Sequence, residues 1–126
     1  MYNSIVSEPE YFDTPLSEAT IQRLVDAEFG DMVKFVVDLD LEVICVGGEF
    51  HSDEEAMLLE EGSQQTHVWG ANFYLDRPHE QRYEFTSMIN IRPSDGNRSQ
   101  LIASAELCKK ISALADRFFK SFYEKS

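Results

Sequence analysis

The chain has 126 residues, 43% of them apolar, and a formal net charge of −12 at pH 7. That length supports one domain, because two halves would each bury too little surface for a stable core, and the apolar share argues against a disordered chain. No apolar run approaches the roughly 18 residues that suggest a membrane span. The acidic balance argues against duplex DNA and anionic membrane surfaces, which reward clustered Lys and Arg.

The charge is uneven. Residues 1–91 hold 4 Lys and Arg against 19 Asp and Glu, a balance of −15, whereas residues 92–126 hold 7 against 4, a balance of +3. A basic C-terminal end of this kind suits a lysine-bearing solvent face, a bound anion, or the acidic surface of a second copy. Cys45 and Cys108 are too few for a disulfide framework and read as small apolar residues. With no basic head followed by an apolar stretch at the N-terminus, the expected location is a reducing cytoplasm.

Residues 1–15 carry Pro9, Pro15 and three aromatic residues and predict an extended arm ahead of a domain spanning 16–126. Ser17 is a good N-cap, with Leu16 and Ile21 placed as a hydrophobic staple. Ile21, Leu24, Val25 and Phe29 then form one helical stripe that Gly30 closes. Two strands follow over 32–37 and 41–46, rich in β-branched residues and joined by the polar turn Asp38-Leu39-Asp40. Both faces of this hairpin carry apolar residues, so it is expected to be covered on two sides.

Ser52 to Glu55 reads as a capping box opening a short helix that Gly62 ends. A third strand is predicted over 67–75. A fourth spans 83–91, with Tyr83, Phe85, Ser87, Ile89 and Ile91 inward and Glu84, Thr86, Met88 and Asn90 outward. The last helix covers about 104–123, its stripe formed by Leu107, Ile111, Leu114, Phe118 and Phe122. The order α-β-β-α-β-β-α predicts an α+β domain with a mainly antiparallel four-stranded sheet packed by helices.

Two polar segments stand out. Arg92-Pro93-Ser94-Asp95-Gly96-Asn97-Arg98 predicts a turn, because Pro93 holds Arg92 extended and Asp-Gly favours reversal. Arg92, Asn97 and Arg98 could converge as donors on a carboxylate or phosphate, or pair with the chain's own acids. The second segment, Gly47 to Glu55, offers Glu49, His51 and Asp53 as metal ligands, although their spacing matches no specific motif. No nucleophile elbow, P-loop or dinucleotide fingerprint is present, and no cofactor is expected. The long connection between the second and third strands suits a crossover, which makes those strands run parallel and places the two polar segments at opposite ends; an antiparallel return would instead bring Glu49 or His51 to face Arg92 and Arg98 at one end.

Met32-Val33-Lys34, Gly47-Gly48-Glu49, Trp69-Gly70, Ser87-Met88-Ile89-Asn90-Ile91-Arg92-Pro93 and Gly96-Asn97-Arg98-Ser99 together resemble a family of small prokaryotic proteins known only as a domain of unknown function. The resemblance covers most of residues 17–120 and leaves the arm outside the family pattern. It implies a free-standing cytoplasmic protein and carries no catalytic role. The expected function is therefore a small binding or interaction module with an anion-accepting arginine turn, acting on a small anionic ligand or protein partner and possible as a homo-oligomer. The alternative is a metal-assisted hydrolase built on Glu49, His51 and Asp53.

Overall fold

A computed structural model describes residues 8–28 and 30–123, so the first seven residues of the predicted arm, and Phe29 of the predicted stripe, lie outside the described residues. Eight main elements follow one another: β1 (Glu10–Phe12), α1 (Glu18–Glu28), β2 (Met32–Asp38), β3 (Val43–Val46), α2 (His51–Glu60), β4 (Val68–Tyr74), β5 (Tyr83–Glu84) and α3 (Ala105–Tyr123). The domain is α+β, with three helices and one antiparallel sheet in the order β1-β3-β2-β4-β5.

Its faces follow from the two-residue period of the strands. Val33, Phe35 and Val37 of β2, Ile44 and Val46 of β3, and Trp69, Ala71 and Phe73 of β4 form the larger core, which α1 and α3 cover. Ring stacking anchors α3 there, with Phe73 and Phe119 nearly parallel at a centroid distance of 4.3 Å. Val36, Val43, Cys45 and Val68 point the other way and are sealed by Leu58 of α2. The hairpin is thus covered on both faces, as its composition predicts.

The helix signals explain the boundaries. Ser17 Oγ accepts the Thr20 N–H at 3.1 Å, and Gly30 takes φ +87° just past α1. In α2, Phe50 rather than Ser52 is the N-cap, so the predicted capping box does not form and no side chain caps that end.

The four-stranded expectation needs two corrections. The arm supplies a fifth strand, β1, whose Tyr11 pairs with Cys45 of β3. The predicted strand over 83–91 pairs with β4 only at Tyr83 and Glu84 before turning into a 3-10 segment, Met88–Asn90. That turn inverts the expected alternation: Asn90 is fully buried and Ile91 is exposed. Asn90 Oδ1 accepts the Gly70 N–H at 2.9 Å and its Nδ2 donates to the Gly70 carbonyl at 2.9 Å. One carboxamide therefore occupies both backbone groups that a longer β5 would have paired.

The crossover expectation holds. β3 and β4 are both antiparallel to β2, which lies between them, so they share one direction. The chain after β3 consequently lies near Lys34, while the arginine turn docks near Val68, at opposite ends of the sheet.

Candidate functional site

The arginine turn is a miniature hairpin. Arg92 and Asn97 pair through their backbones, Pro93–Asp95 forms a 3-10 turn, and Gly96 takes the left-handed conformation at φ +84°. Its side chains point into the protein. The Arg92 guanidinium donates Nη1 to the Gln65 carbonyl and Nη2 to the Val68 carbonyl, and stacks 3.8 Å from the Trp69 ring centroid. Asn97 Nδ2 donates to the carbonyls of Asn90 and Ser99, each at 2.8 Å, and its Oδ1 accepts the Ala103 N–H. The Nη groups of Arg92 and the carboxamide of Asn97 are therefore committed to the chain itself, Arg92 Nε is buried without a partner, and Arg98 alone of the three is exposed.

Beside this turn lies a pocket of about 750 Å³ between α3 and the β2–β3 turn. Leu39, Trp69, Leu107 and Leu114 give it an apolar floor, and Lys110, Arg117, Glu42 and Asp95 give it a charged rim, with His67 also in the lining. Arg117 Nη1 lies 2.9 Å from Glu42 Oε1 in an exposed pair. Glu42 is the one described non-glycine residue with positive φ, +58°. The turn before it is fixed by the buried Asp38, whose Oδ1 accepts the Asp40 and Leu41 N–H groups at 2.8 and 3.0 Å. Such a conformation costs about 1 kcal/mol and persists only where surrounding bonds enforce it.

The segment 47–55 does not assemble as a metal centre. Glu49 and Asp53 are exposed, His51 turns toward β4 with Nε2 donating to the Ala71 carbonyl at 2.8 Å, and among the described residues no three His, Cys, Asp or Glu side chains gather to hold a metal ion. Burial lowers the His51 pKa to about 4, so the ring is neutral at pH 7. The buried acid is instead Glu54, whose Oε2 accepts the Gly48 N–H at 2.8 Å while burial raises its pKa well above the usual 4.5. Glu28, at the end of α1, is raised to about 7, chiefly by burial. His51, Glu54 and Leu58 follow one another at spacings of three and four, a helical face that in the sequence already marks Glu54 as turned inward.

A second cavity, of about 590 Å³, opens on this side of the sheet. His51 and Ser87 flank it directly above Gly70, where a side chain would come within 2.9 Å of Ser87 Cβ and 3.1 Å of His51 Cδ2. β4 can pass beneath them only because it carries hydrogen at that position.

Stability should follow these buried groups. Glu54 has a folded pKa above its unfolded value, so its contribution is complete below about pH 4.5 and is lost as pH rises through the folded pKa. Glu28 acts in the same direction between 4.5 and about 7. His51 acts oppositely, its folded pKa being depressed, and loses stability as pH falls from 6.5 toward 4. Glu54→Gln is expected to flatten the alkaline decline of the unfolding free energy while leaving the acid limb unchanged. Denaturant melts across this pH range check it; an unaltered alkaline slope would show that Glu54 does not titrate as described.

Fold and cavities define a class: a small three-layer α+β domain with an open pocket on each face of an antiparallel sheet, and no helix among the described residues long and apolar enough to cross a membrane. The chain belongs to the family described as Protein of unknown function (DUF5674), whose family model matches residues 11–118. No curated protein and no solved structure matches it. The family match begins at Tyr11, within β1, so the end of the arm is part of the shared domain.

Proposed function

We propose that this protein is a small binding module that takes an organic anion in the α3-side pocket. The observation that carries this reading is the pairing of an apolar floor at Trp69, Leu107 and Leu114 with Lys110 and Arg117, which lie two turns apart along α3. Lys110 has no ion-pair partner among the described residues, and in a chain of charge −12 an unpaired cation beside an apolar floor is a distinctive place for a carboxylate or phosphate. The reversed charge of residues 92–126 supports the same reading and would also steer acidic partners, including a second copy, to this face. Free thiols at Cys45 and Cys108 suit a reducing cytoplasm.

Calorimetric titration with benzoate and with phenyl phosphate tests the proposal. At least one should bind saturably, more weakly as salt rises, and Lys110→Glu should weaken it about tenfold or more, equivalent to roughly 1.4 kcal/mol. Arg98→Glu, outside the pocket lining, should leave binding unchanged. Absence of saturable binding by either compound, or full binding by Lys110→Glu, would rule the reading out.

A further inference from the structure

The strip of α3 beside the pocket carries its charges in a regular order. Lys110, Ala113 and Arg117 follow one another at spacings of three and four residues, so they share one exposed face of the helix, and all three line the pocket. The two cations lie about 10 Å apart along the helix axis. Ala113 puts only a methyl group between them, and Leu107, Leu114 and Trp69 form the floor alongside. The wall therefore reads cation, apolar, cation. A molecule with a single acidic group can use only one end of it.

The two ends differ in what they hold. Lys110 has no ion-pair partner among the described residues, whereas Arg117 Nη1 meets Glu42 Oε1 at 2.9 Å. Three observations make that Glu42 carboxylate a stand-in for an anionic group of the ligand. First, the pair is open to water, with side chains 64% and 56% accessible, so either partner exchanges readily for another. Second, the β2–β3 turn does not depend on it. Asp38 Oδ1 accepts the Asp40 and Leu41 N–H groups, and the Glu42 N–H donates to the Asp38 carbonyl at 2.9 Å. Third, the backbone at Glu42 has φ +58°, a conformation that Gly or Asn takes far more readily than Glu. Local geometry thus gives no preference for glutamate; what this side chain adds is a carboxylate on Arg117.

We infer, resting on the reading that this pocket takes an anion, that its ligand is a small diacid with an apolar middle. One anionic group sits on Lys110, the middle lies over Ala113 and Leu114, and the second group takes Arg117 from Glu42. Glu42 then determines specificity. A diacid anchored at Lys110 presents its other carboxylate to Arg117 at high local concentration and displaces Glu42, whereas a monoacid lacks that advantage. Asp95, the other acid of the lining, belongs to the arginine turn and not to this strip.

Calorimetric titration of the full chain with terephthalate tests this, with monomethyl terephthalate as the same molecule with one charge masked. Terephthalate should bind about tenfold more tightly and lose more affinity as salt rises. Arg117→Gln should bring the two compounds to similar affinity, which the loss of a merely structural ion pair would not do. Glu42→Gln should strengthen terephthalate binding about twofold to fivefold by removing the carboxylate that competes for Arg117. Lys110→Glu should weaken both compounds. Equal binding of the two by the native chain, a preference for terephthalate that survives Arg117→Gln, or weaker terephthalate binding by Glu42→Gln would overturn the diacid assignment and leave the anion pocket standing. If neither compound binds, and benzoate and phenyl phosphate also fail, the anion pocket falls and the diacid assignment falls with it.

Discussion

Asn90→Ala is expected to destabilise the domain by about 3–5 kcal/mol, among the largest effects of any single substitution in this chain. The side chain is fully buried and holds both backbone polar groups of Gly70, with a third bond from Nδ2 to the Gln100 carbonyl at 3.2 Å. Truncation leaves those backbone groups unpaired in the interior, where each carries a desolvation penalty. Asn90→Asp is the more diagnostic change. A carboxylate can still accept the Gly70 N–H but confronts two carbonyl oxygens it cannot bond, so the loss should be severe at pH 7 and smaller at acid pH, where a protonated carboxyl can donate. Chemical denaturation of both variants at two pH values measures this. A loss below about 1 kcal/mol for Asn90→Ala would mean that water replaces the carboxamide at Gly70.

Arg92→Lys is expected to cost about 2–3 kcal/mol although the charge is kept. The planar guanidinium reaches the carbonyls of Gln65 and Val68 at once and lies over Trp69, 3.8 Å from its ring centroid. An ammonium has neither the fork nor the plane. Trp69 is the only tryptophan, so its emission reports the change directly: the variant should shift to longer wavelength as water reaches the ring. Unchanged stability and emission would show that the guanidinium is not what fastens the turn.

These residues also mark where reading the sequence succeeds and where it stops. Periodicity and end signals place all three helices and the two long strands, because the apolar stripes of α1 and α3 and the alternation of β2 and β4 are set by local geometry. The crossover was legible too, from the length of the connection between β3 and β4. The stretch 83–91 shows the opposite case. Its alternation is genuine, but Asn90 satisfies the neighbouring strand better with a side chain than the backbone would by continuing, and hydropathy counts asparagine as an outward residue. Strand β1 was hidden because three residues have too few positions to show a period.

The candidate site was legible only in part. The sequence singled out 47–55 and 92–99, and both border cavities. It could not show that Arg92 and Asn97 turn inward, since an arginine facing backbone carbonyls has the same local sequence as one facing a ligand. Nor could it bring Lys34, Asn72 and Ser87 beside His51, for that juxtaposition depends on strand register. Glu54 was recoverable, because its spacing from His51 and Leu58 places it on the inner face of α2. The polar first turn of that helix concealed it.

Strand β1 has a consequence for handling the protein. Its three residues occupy the outer margin of β3, and the forked contact of Arg23 with Glu10, at 2.8 and 3.0 Å, fastens them to α1. Removing the chain through Phe12 would bare the edge of β3 that β1 covers at Ile44–Val46, which is the kind of surface that recruits another strand. The short leading strap therefore covers an edge that a truncated chain would expose, and such truncations are expected to associate more readily than the full chain.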